Sequence, residues 1–173
     1  MDNIVLIGMP GAGKSTLGVV LAKAMGYKFI DSDILIQEEE GKLLSQILEE
    51  SGPDVFNQIE ERINSSIDVN HSVIATGGSV IYGPKAMEHL RSIGVVVYIK
   101  LPCQTIKKRI GDFEERGINM DNGQTIEDLY EERVPLYEKY AHITVETAGM
   151  ELNKSMDLIR KKVRQYLEEK ATC

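Results

Sequence analysis

A glycine-rich stretch close to the N-terminus carries residues whose types and spacing suit chemistry on phosphates. Residues 8–15, GMPGAGKS, match the pattern G-x-x-x-x-G-K-[ST]. Glycines let the backbone curl so that successive N–H groups point at phosphate oxygens, and the following helix N-terminus adds partial positive charge. In such a loop Lys14 reaches the β- and γ-phosphates and the Ser15 hydroxyl binds Mg²⁺. The stretch therefore predicts binding of a nucleoside triphosphate, with ATP expected, together with Mg²⁺.

Two carboxylates, Asp31 and Asp33, follow a short apolar run and are separated by one residue. Residues i and i+2 of a strand share a face, so both would point the same way if strand geometry persists. Like charges held together need a cation or a shared proton. Asp33 could instead cap a helix that starts at Ile34, and Asp31 could be a plain turn charge. Beside a phosphate loop, a metal or proton-transfer role is favoured for both.

The elements that must position these residues alternate between strands and helices. Five continuous apolar runs are predicted strands, at residues 4–7, 27–30, 72–76, 95–101 and 142–145. Helical patterns are predicted at residues 14–25, 45–50, 53–69, 84–93, 103–110, 125–140 and 150–170. The alternation predicts an α/β fold of three layers, a five-stranded parallel sheet with helices on both faces. Ligands of such folds bind at the carboxyl ends of the strands, where GMPGAGKS, DSD and GGS would share one crevice.

Length and charge limit the classes of partner. The chain of 173 residues is expected to form a single domain over residues 1–173. A formal net charge of -7 argues against a nucleic-acid partner. No apolar run approaches the roughly 20 residues that span a bilayer, and the N-terminus does not have the pattern of a signal peptide. Cys103 and Cys173 form no close pair, which fits a reducing cytoplasm. We expect a cytoplasmic monomer that binds a small molecule and no membrane.

Residues 111–124 have the weakest signals for regular structure. The stretch GDFEERGINMDNGQ has three glycines and few apolar anchors. We expect it to form a mobile lid over a ligand rather than a linker between domains. Arg116 is the arginine of this lid.

Several motifs, in order along nearly the whole chain, resemble the shikimate kinase family within the nucleoside-monophosphate-kinase-like group of P-loop proteins. They are GMPGAGKST, FIDSD, FNQIE, ATGGS, Arg109, Arg116 and ERVPLYEKYA. The resemblance implies a P-loop kinase fold with a mobile lid. It also implies transfer of the ATP γ-phosphoryl group to the 3-hydroxyl of shikimate or a similar hydroxy acid. The turn ATGG is similar to the glycine-rich turn that this family has in place of an acidic Walker B motif.

The resemblance implies roles for residues on the acceptor side. Asp33 resembles the aspartate that binds the substrate hydroxyls and accepts the attacking proton. The backbone of Gly77 and Gly78 would line the substrate, and Arg133 resembles the arginine that grips its carboxylate. On its own, Arg133 lies in a charged helix, where a solvated ion pair with a glutamate is the ordinary expectation.

On the nucleotide side the resemblance implies a set of ATP-binding residues. They are Gly11, Ala12, Gly13, Lys14, Ser15, Thr16, Arg109 and Arg116. Arg109 would stack near the adenine and Arg116 would close over the phosphates, so that Lys14 and Arg116 act with Asp33 in catalysis. Ser15 and Asp31 would hold the metal. Arg116 lies in a Glu-rich loop, and a plain surface arginine is the alternative there.

The substrate pocket departs from the family pattern at two positions. Asn57 stands where the family has an arginine that also grips the carboxylate, and Ser79 stands where it has a third glycine. The lid also reads RGI at residues 116–118, where many members have arginine, proline and leucine. Loss of a charge-assisted hydrogen bond typically costs about 1.5–3 kcal/mol. Three hypotheses stay open: a shikimate kinase, a related kinase of another small hydroxylated metabolite, and a nucleotide-binding regulator without catalysis.

Overall fold

A parallel sheet of five strands forms the centre of the protein, which a computed structural model describes over residues 2–111 and 118–172. The strands are β1 (Asn3–Ile7), β2 (Lys28–Asp31), β3 (Ser72–Ala75), β4 (Gly94–Lys100) and β5 (Ile143–Glu146). Their order is β2-β3-β1-β4-β5, and every neighbouring pair is parallel. Each predicted strand is confirmed to within two residues at either end, so the carboxyl ends of all five strands lie at one edge.

Helices surround this sheet and explain why its central strands are apolar without alternation. They are α1 (Lys14–Met25), α2 (Ser32–Glu40), α3 (Leu44–Ser65), α4 (Pro84–Ile93), α5 (Cys103–Ile110), α6 (Ile126–Tyr140) and α7 (Leu152–Ala171), with a 3-10 turn at Val80–Tyr82. Every residue of β1 and β3 is buried. Helix α1 packs with α7 and α3 packs with α4, and each pair contacts the sheet. A strand covered on both faces needs apolar residues at every position.

Helix α3 merges two segments that the sequence predicts as separate helices at residues 45–50 and 53–69. Gly52 lies inside α3 with φ 78° and ψ 172°, and Pro53 follows it, so the helix is kinked at the predicted break. The helix ends at Ser65 rather than at residue 69. Past the kink, Phe56 and Ile63 pack with Ile36 and Ile47 in a small apolar cluster of their own. This cluster fixes the face of α3 that carries Asn57 and Glu60.

The strand geometry expected to continue through Asp33 ends at Asp31, which corrects the argument that both carboxylates share a strand face. Asp31 is the last residue of β2 and the N-cap of α2, because its Oδ1 accepts a hydrogen bond of 3.0 Å from the Asp33 backbone N–H. Asp33 lies in the first turn of the helix. The alternative in which Asp33 itself caps the helix is therefore wrong.

The predicted lid at residues 111–124 is described only in part. Residues 112–117, which include Arg116, lie outside the described residues. Gly111 follows the end of α5, and after the gap Asn119 is 8% exposed. Within residues 2–111 and 118–172, no helix combines the length and apolar character needed to cross a membrane.

Candidate active site

The phosphate loop joins β1 to α1, and its backbone carbonyls contact the side chain of Lys14. Gly11 and Gly13 have φ of 78° and 87°, a left-handed conformation that side chains disfavour. The Lys14 ammonium donates hydrogen bonds of 2.7 Å to the Gly8 carbonyl and 2.9 Å to the Met9 carbonyl. Burial lowers the pKa of Lys14 to about 8, although the charge of Asp33 acts to raise it. The loop thus holds the lysine at the position from which it can meet a phosphate.

Ser15 and Asp31 meet at the mouth of the loop. The Ser15 hydroxyl donates a hydrogen bond of 2.7 Å to Asp31 Oδ2. The other oxygen of Asp31 is occupied as the cap of α2. One hydroxyl and one carboxylate in contact form a set of hard oxygen ligands, the kind that Mg²⁺ prefers.

Asp33 and Glu60 face the glycine turn after β3. A Cβ atom on Gly77 would lie 2.6 Å from Glu60 Oε2 and 2.7 Å from Asp33 Oδ1, so both carboxyl groups converge where only glycine leaves room. Burial, with the neighbouring charge of Asp31, raises the pKa of Asp33 to about 6, and Lys14 opposes this shift. Burial also raises the pKa of Glu60 to about 7, against the hydrogen bond that Ser79 donates to it. The two carboxyl groups differ in surroundings as well as in position.

Arg133 lies inside the protein rather than in the solvated ion pair that its charged helix predicts. It is 1% exposed. Its Nε donates a hydrogen bond of 3.3 Å to the Tyr82 hydroxyl, and the guanidinium lies 5.3 Å from the centre of the Tyr82 ring. Its Nη2 donates to the backbone carbonyl of Asn119. A Cβ on Gly78 would lie 3.0 Å from Nη1, which places that nitrogen beside the glycine turn.

Asn57 turns toward the segment that follows the gap in the described chain. Its Oδ1 accepts a hydrogen bond of 2.6 Å from Asn119 Nδ2. Asn119 thereby contacts both Asn57 and Arg133. It belongs to none of the sequence motifs, so the sequence did not predict it as a site residue. Tyr82 was not predicted either, because it follows the glycine turn without belonging to a motif. Arg62, five residues after Asn57 on α3, is directed to the surface, where it pairs with Glu39 and Glu40, and so it does not supply a cation in place of Asn57.

The phosphate loop, the glycine turn after β3 and residues of α2, α3 and α6 line a cavity of about 640 Å³. The predicted site residues that line it are Gly11, Gly13, Lys14, Ser15, Thr16, Asp33, Gly77, Gly78, Arg109 and Arg133. Of the described residues predicted for the site, Ala12, Asp31 and Asn57 are not part of that lining, and Arg116 lies outside the described residues. Arg109 extends over the phosphate loop, where its Nη1 donates a hydrogen bond of 3.1 Å to the Gly11 carbonyl. Glu60, Ser79 and Asn119 line the cavity in addition.

The arrangement has the parts that a phosphoryl transfer needs. A loop of backbone N–H groups and a lysine can hold the phosphates, and the partly buried carboxyl group of Asp33 lines the same cavity. An arginine at the far side can bind an anion. Alignment and charge neutralisation are the main demands of this reaction.

Comparison with known proteins identifies the family. A model of the family described as shikimate kinase matches residues 10–164. A shikimate kinase from Chlorobium chlorochromatii is 35% identical over 175 residues, which cover 95% of this chain and 92% of the relative. The chain belongs to the shikimate kinase family. Another shikimate kinase, from Clostridium botulinum, is 40% identical over 149 residues, or 84% of this chain and 87% of the relative.

Solved structures of shikimate kinases have the same fold. The shikimate kinase from Acinetobacter baumannii in complex with shikimate is 30% identical, with a TM-score of 0.82 over 98% of this chain and 95% of that one. The shikimate kinase from Aquifex aeolicus is also 30% identical, with a TM-score of 0.77 over 98% of each chain. The α/β fold of P-loop kinase type is confirmed.

The family membership also bears on function. The prediction of a shikimate kinase, a phosphotransferase that acts on a hydroxyl group with ATP as its phosphoryl donor, is confirmed. The comparisons do not favour a kinase of another metabolite or a regulator without catalysis.

Proposed function

We propose that this shikimate kinase transfers the γ-phosphoryl group of ATP to the 3-hydroxyl of shikimate, and that Asp33 orients and deprotonates this hydroxyl. The observation that supports the assignment is the shared cavity, whose lining includes the phosphate loop, Asp33 and Arg133. A cavity of about 640 Å³ is of the size that small-molecule sites have. The family supplies the identity of the acceptor.

The nucleotide binds along the phosphate loop. Backbone N–H groups from Gly11 to Thr16 contact phosphate oxygens, and the Lys14 ammonium meets the β- and γ-phosphates. Phosphate charge replaces the two loop carbonyls as the partner of Lys14. Arg109, which donates a hydrogen bond to the Gly11 carbonyl, stacks near the adenine. Arg116, from outside the described residues, closes over the phosphates.

The acceptor binds at the other end of the cavity. Arg133 donates to its carboxylate, and the backbone of Gly77 and Gly78 lines the ring. Asp33 accepts a hydrogen bond from the 3-hydroxyl. As the hydroxyl oxygen attacks the γ-phosphorus, its proton passes to Asp33 and ADP departs. A pKa of about 6 leaves Asp33 ionised at neutral pH while keeping it basic enough to take a proton.

Ser15 and Asp31 are the residues that would hold Mg²⁺. Ser15 lines the cavity, and its hydroxyl lies 2.7 Å from Asp31 Oδ2, so two oxygen ligands lie together in a way that fits the hard-ligand preference of the ion. When bound, Mg²⁺ neutralises charge on the β- and γ-phosphate oxygens. The other oxygen of Asp31, Oδ1, accepts a hydrogen bond from the Asp33 backbone N–H. The position of Asp31 is therefore coupled to the position of Asp33.

We further propose that residues 1–173 act as a single domain, as a monomer in the cytoplasm. All five strands belong to one sheet, which supports the single domain. Size-exclusion chromatography with light scattering measures the mass directly. A dimer mass would contradict the monomer.

The test of the proposed function is an ADP-release assay with purified protein, ATP, Mg²⁺ and shikimate. We expect shikimate to stimulate ADP release, and phosphorus NMR to show a phosphate monoester on the acceptor. Lys14→Met serves as the control, since it removes the phosphate-binding charge without adding a polar group. Shikimate that produces no more ADP than the ATPase background would remove shikimate as the substrate.

A further inference from the structure

The acceptor end of the cavity has less positive charge than the family pattern supplies. Position 57 has asparagine in place of arginine, and residues 57 and 60 are three apart on α3. An arginine at that spacing can pair with a glutamate on the same helix face. In this chain Glu60 therefore lacks the cation that the pattern would place beside it.

The side chain that contacts Glu60 is instead the neutral hydroxyl of Ser79. Ser79 donates a hydrogen bond of 2.6 Å to Glu60 Oε1, and Ser79 is the second departure from the family pattern. Glu60 is 2% exposed, and its Oε2 has no hydrogen-bond partner among the described residues. That free oxygen faces the cavity beside Asp33 and Gly77. The asparagine at position 57 leaves Glu60 without a cation on its own helix face, and Ser79, in place of a glycine, adds only a neutral hydrogen-bond donor.

The remaining cation of the acceptor end is partly occupied. Two of the three guanidinium nitrogens of Arg133 donate to Tyr82 and to the Asn119 carbonyl. The third, Nη1, lies next to Gly78, and the Tyr137 hydroxyl also interacts with the guanidinium. Asn57 forms an amide pair with Asn119 instead of extending into the cavity. A carboxylate at this end therefore meets one arginine and the neutral residue Asn119.

We propose that the Asn57–Asn119 pair and Ser79 set the charge selectivity of the acceptor site, so that it takes the carboxamide of shikimate nearly as well as shikimate itself. The inference rests on the proposed function and concerns the class of acceptor within it. Asp33 and Glu60 oppose an anion here, and Arg133 attracts it. An uncharged amide avoids the opposing carboxyl groups while still accepting a hydrogen bond from Arg133 through its carbonyl oxygen.

The experiment compares kcat/KM for shikimate with kcat/KM for its carboxamide. In the natural protein we expect a ratio of about ten or less, since one charge-assisted hydrogen bond distinguishes the two compounds. Asn57→Arg adds a second cation, and it should raise the ratio about tenfold or more. Gln58→Arg is the matched control, because it adds the same charge at an exposed position one residue along the same helix. It should leave the ratio within about twofold of the natural value.

Asn119→Asp tests the same inference in the opposite direction and does not depend on the folding of Asn57→Arg. Aspartate has the same size as asparagine and adds a negative charge to a residue that lines the cavity and whose backbone carbonyl accepts a hydrogen bond from Arg133. We expect it to lower the ratio about tenfold, mainly through a higher KM for shikimate. Thermal unfolding of each variant establishes that it is folded at the assay temperature.

The outcomes separate the inference from the function on which it rests. A natural ratio of about a hundred or more would overturn the inference while the proposed function stands. The same holds if shikimate is phosphorylated and neither Asn57→Arg nor Asn119→Asp changes the ratio. Absence of turnover with either compound would overturn the proposed function and the inference together.

Discussion

The two ends of the cavity are built in different ways. The nucleotide end is one continuous loop, in which Lys14 is held by backbone carbonyls five and six residues away. The acceptor end is assembled from side chains of α2, α3 and α6, the turn after β3 and the segment after residue 117. A site made of backbone depends on the glycines that shape it. A site made of side chains can change its chemistry with one substitution, and we propose that Asn57 and Ser79 act in this way.

The two ends also differ in how charge is balanced. At the nucleotide end, the phosphates of the ligand supply the negative charge that pairs with the Lys14 ammonium. At the acceptor end the protein holds two carboxyl groups of raised pKa, Asp33 and Glu60, near one arginine. Keeping such groups in a buried place costs stability, which is typical of functional sites. The predictions that follow test this division, beginning with the largest expected effect.

Asp33→Ala should have the largest effect, because it removes the group that joins the two ends. We expect kcat to fall by about 10²- to 10⁴-fold, the usual contribution of a positioned base. Nucleotide affinity, measured by calorimetry, should persist because the phosphate loop is unchanged. Asp54→Ala, at an exposed position of α3, is the matched control. Near-normal turnover in Asp33→Ala would show that the base is a different residue.

Glu60→Gln should change the pH dependence of stability. Because burial raises the pKa of Glu60 from 4.5 to about 7, the folded protein binds the proton more tightly than the unfolded chain does. The free energy of unfolding therefore falls as pH rises between these values. Relative to the natural protein, the glutamine variant should gain roughly 3 kcal/mol in free energy of unfolding as the pH rises from 4.5 to 7. Urea unfolding across this range measures it, and a difference independent of pH would contradict a buried, protonated Glu60.

Arg133→Lys should weaken the acceptor end alone. Lysine keeps the charge but loses the planar fork that donates to Tyr82 and Asn119. We expect KM for shikimate to rise about 10- to 100-fold, as loss of a charge-assisted contact implies, with KM for ATP unchanged. Arg160→Lys on α7 is the control at a solvated position. Equal changes in both KM values would show that the two ends are not separable.

Asp31→Asn should have the smallest effect on turnover at saturating metal. Asparagine can still cap α2, but it loses the charge that meets the Ser15 hydroxyl. We expect the Mg²⁺ concentration for half-maximal activity to rise about tenfold. Asp157→Asn, exposed on α7, provides the comparison. An unchanged Mg²⁺ dependence would remove Asp31 from the metal site and leave it as a helix cap.

The nucleotide end could be predicted almost completely from the sequence because its residues are neighbours in the chain. Residues 8–15 contain the whole loop, and the strand before it and the helix after it follow from local apolar patterns. The acceptor-side roles proposed for Gly77 and Arg133 came only from the family resemblance, whereas the position of Asp33 beside the phosphate loop had already favoured a metal or proton-transfer role. For Arg133, local reasoning favoured a solvated ion pair, since a helix pattern does not show which charged residue faces inward.

The α/β fold, the phosphate loop and the family could be predicted from the sequence, because they depend on periodicity and on contiguous motifs. Which side chains meet across large separations in the chain depends instead on tertiary packing. Asn119 meets Asn57 across 62 residues, and Ser79 meets Glu60 across 19. Such contacts depend on how α3 packs against the turn after β3 and against the segment after residue 117. The charge of the acceptor site therefore depends on how the molecule packs, and the identities of its residues alone do not give it.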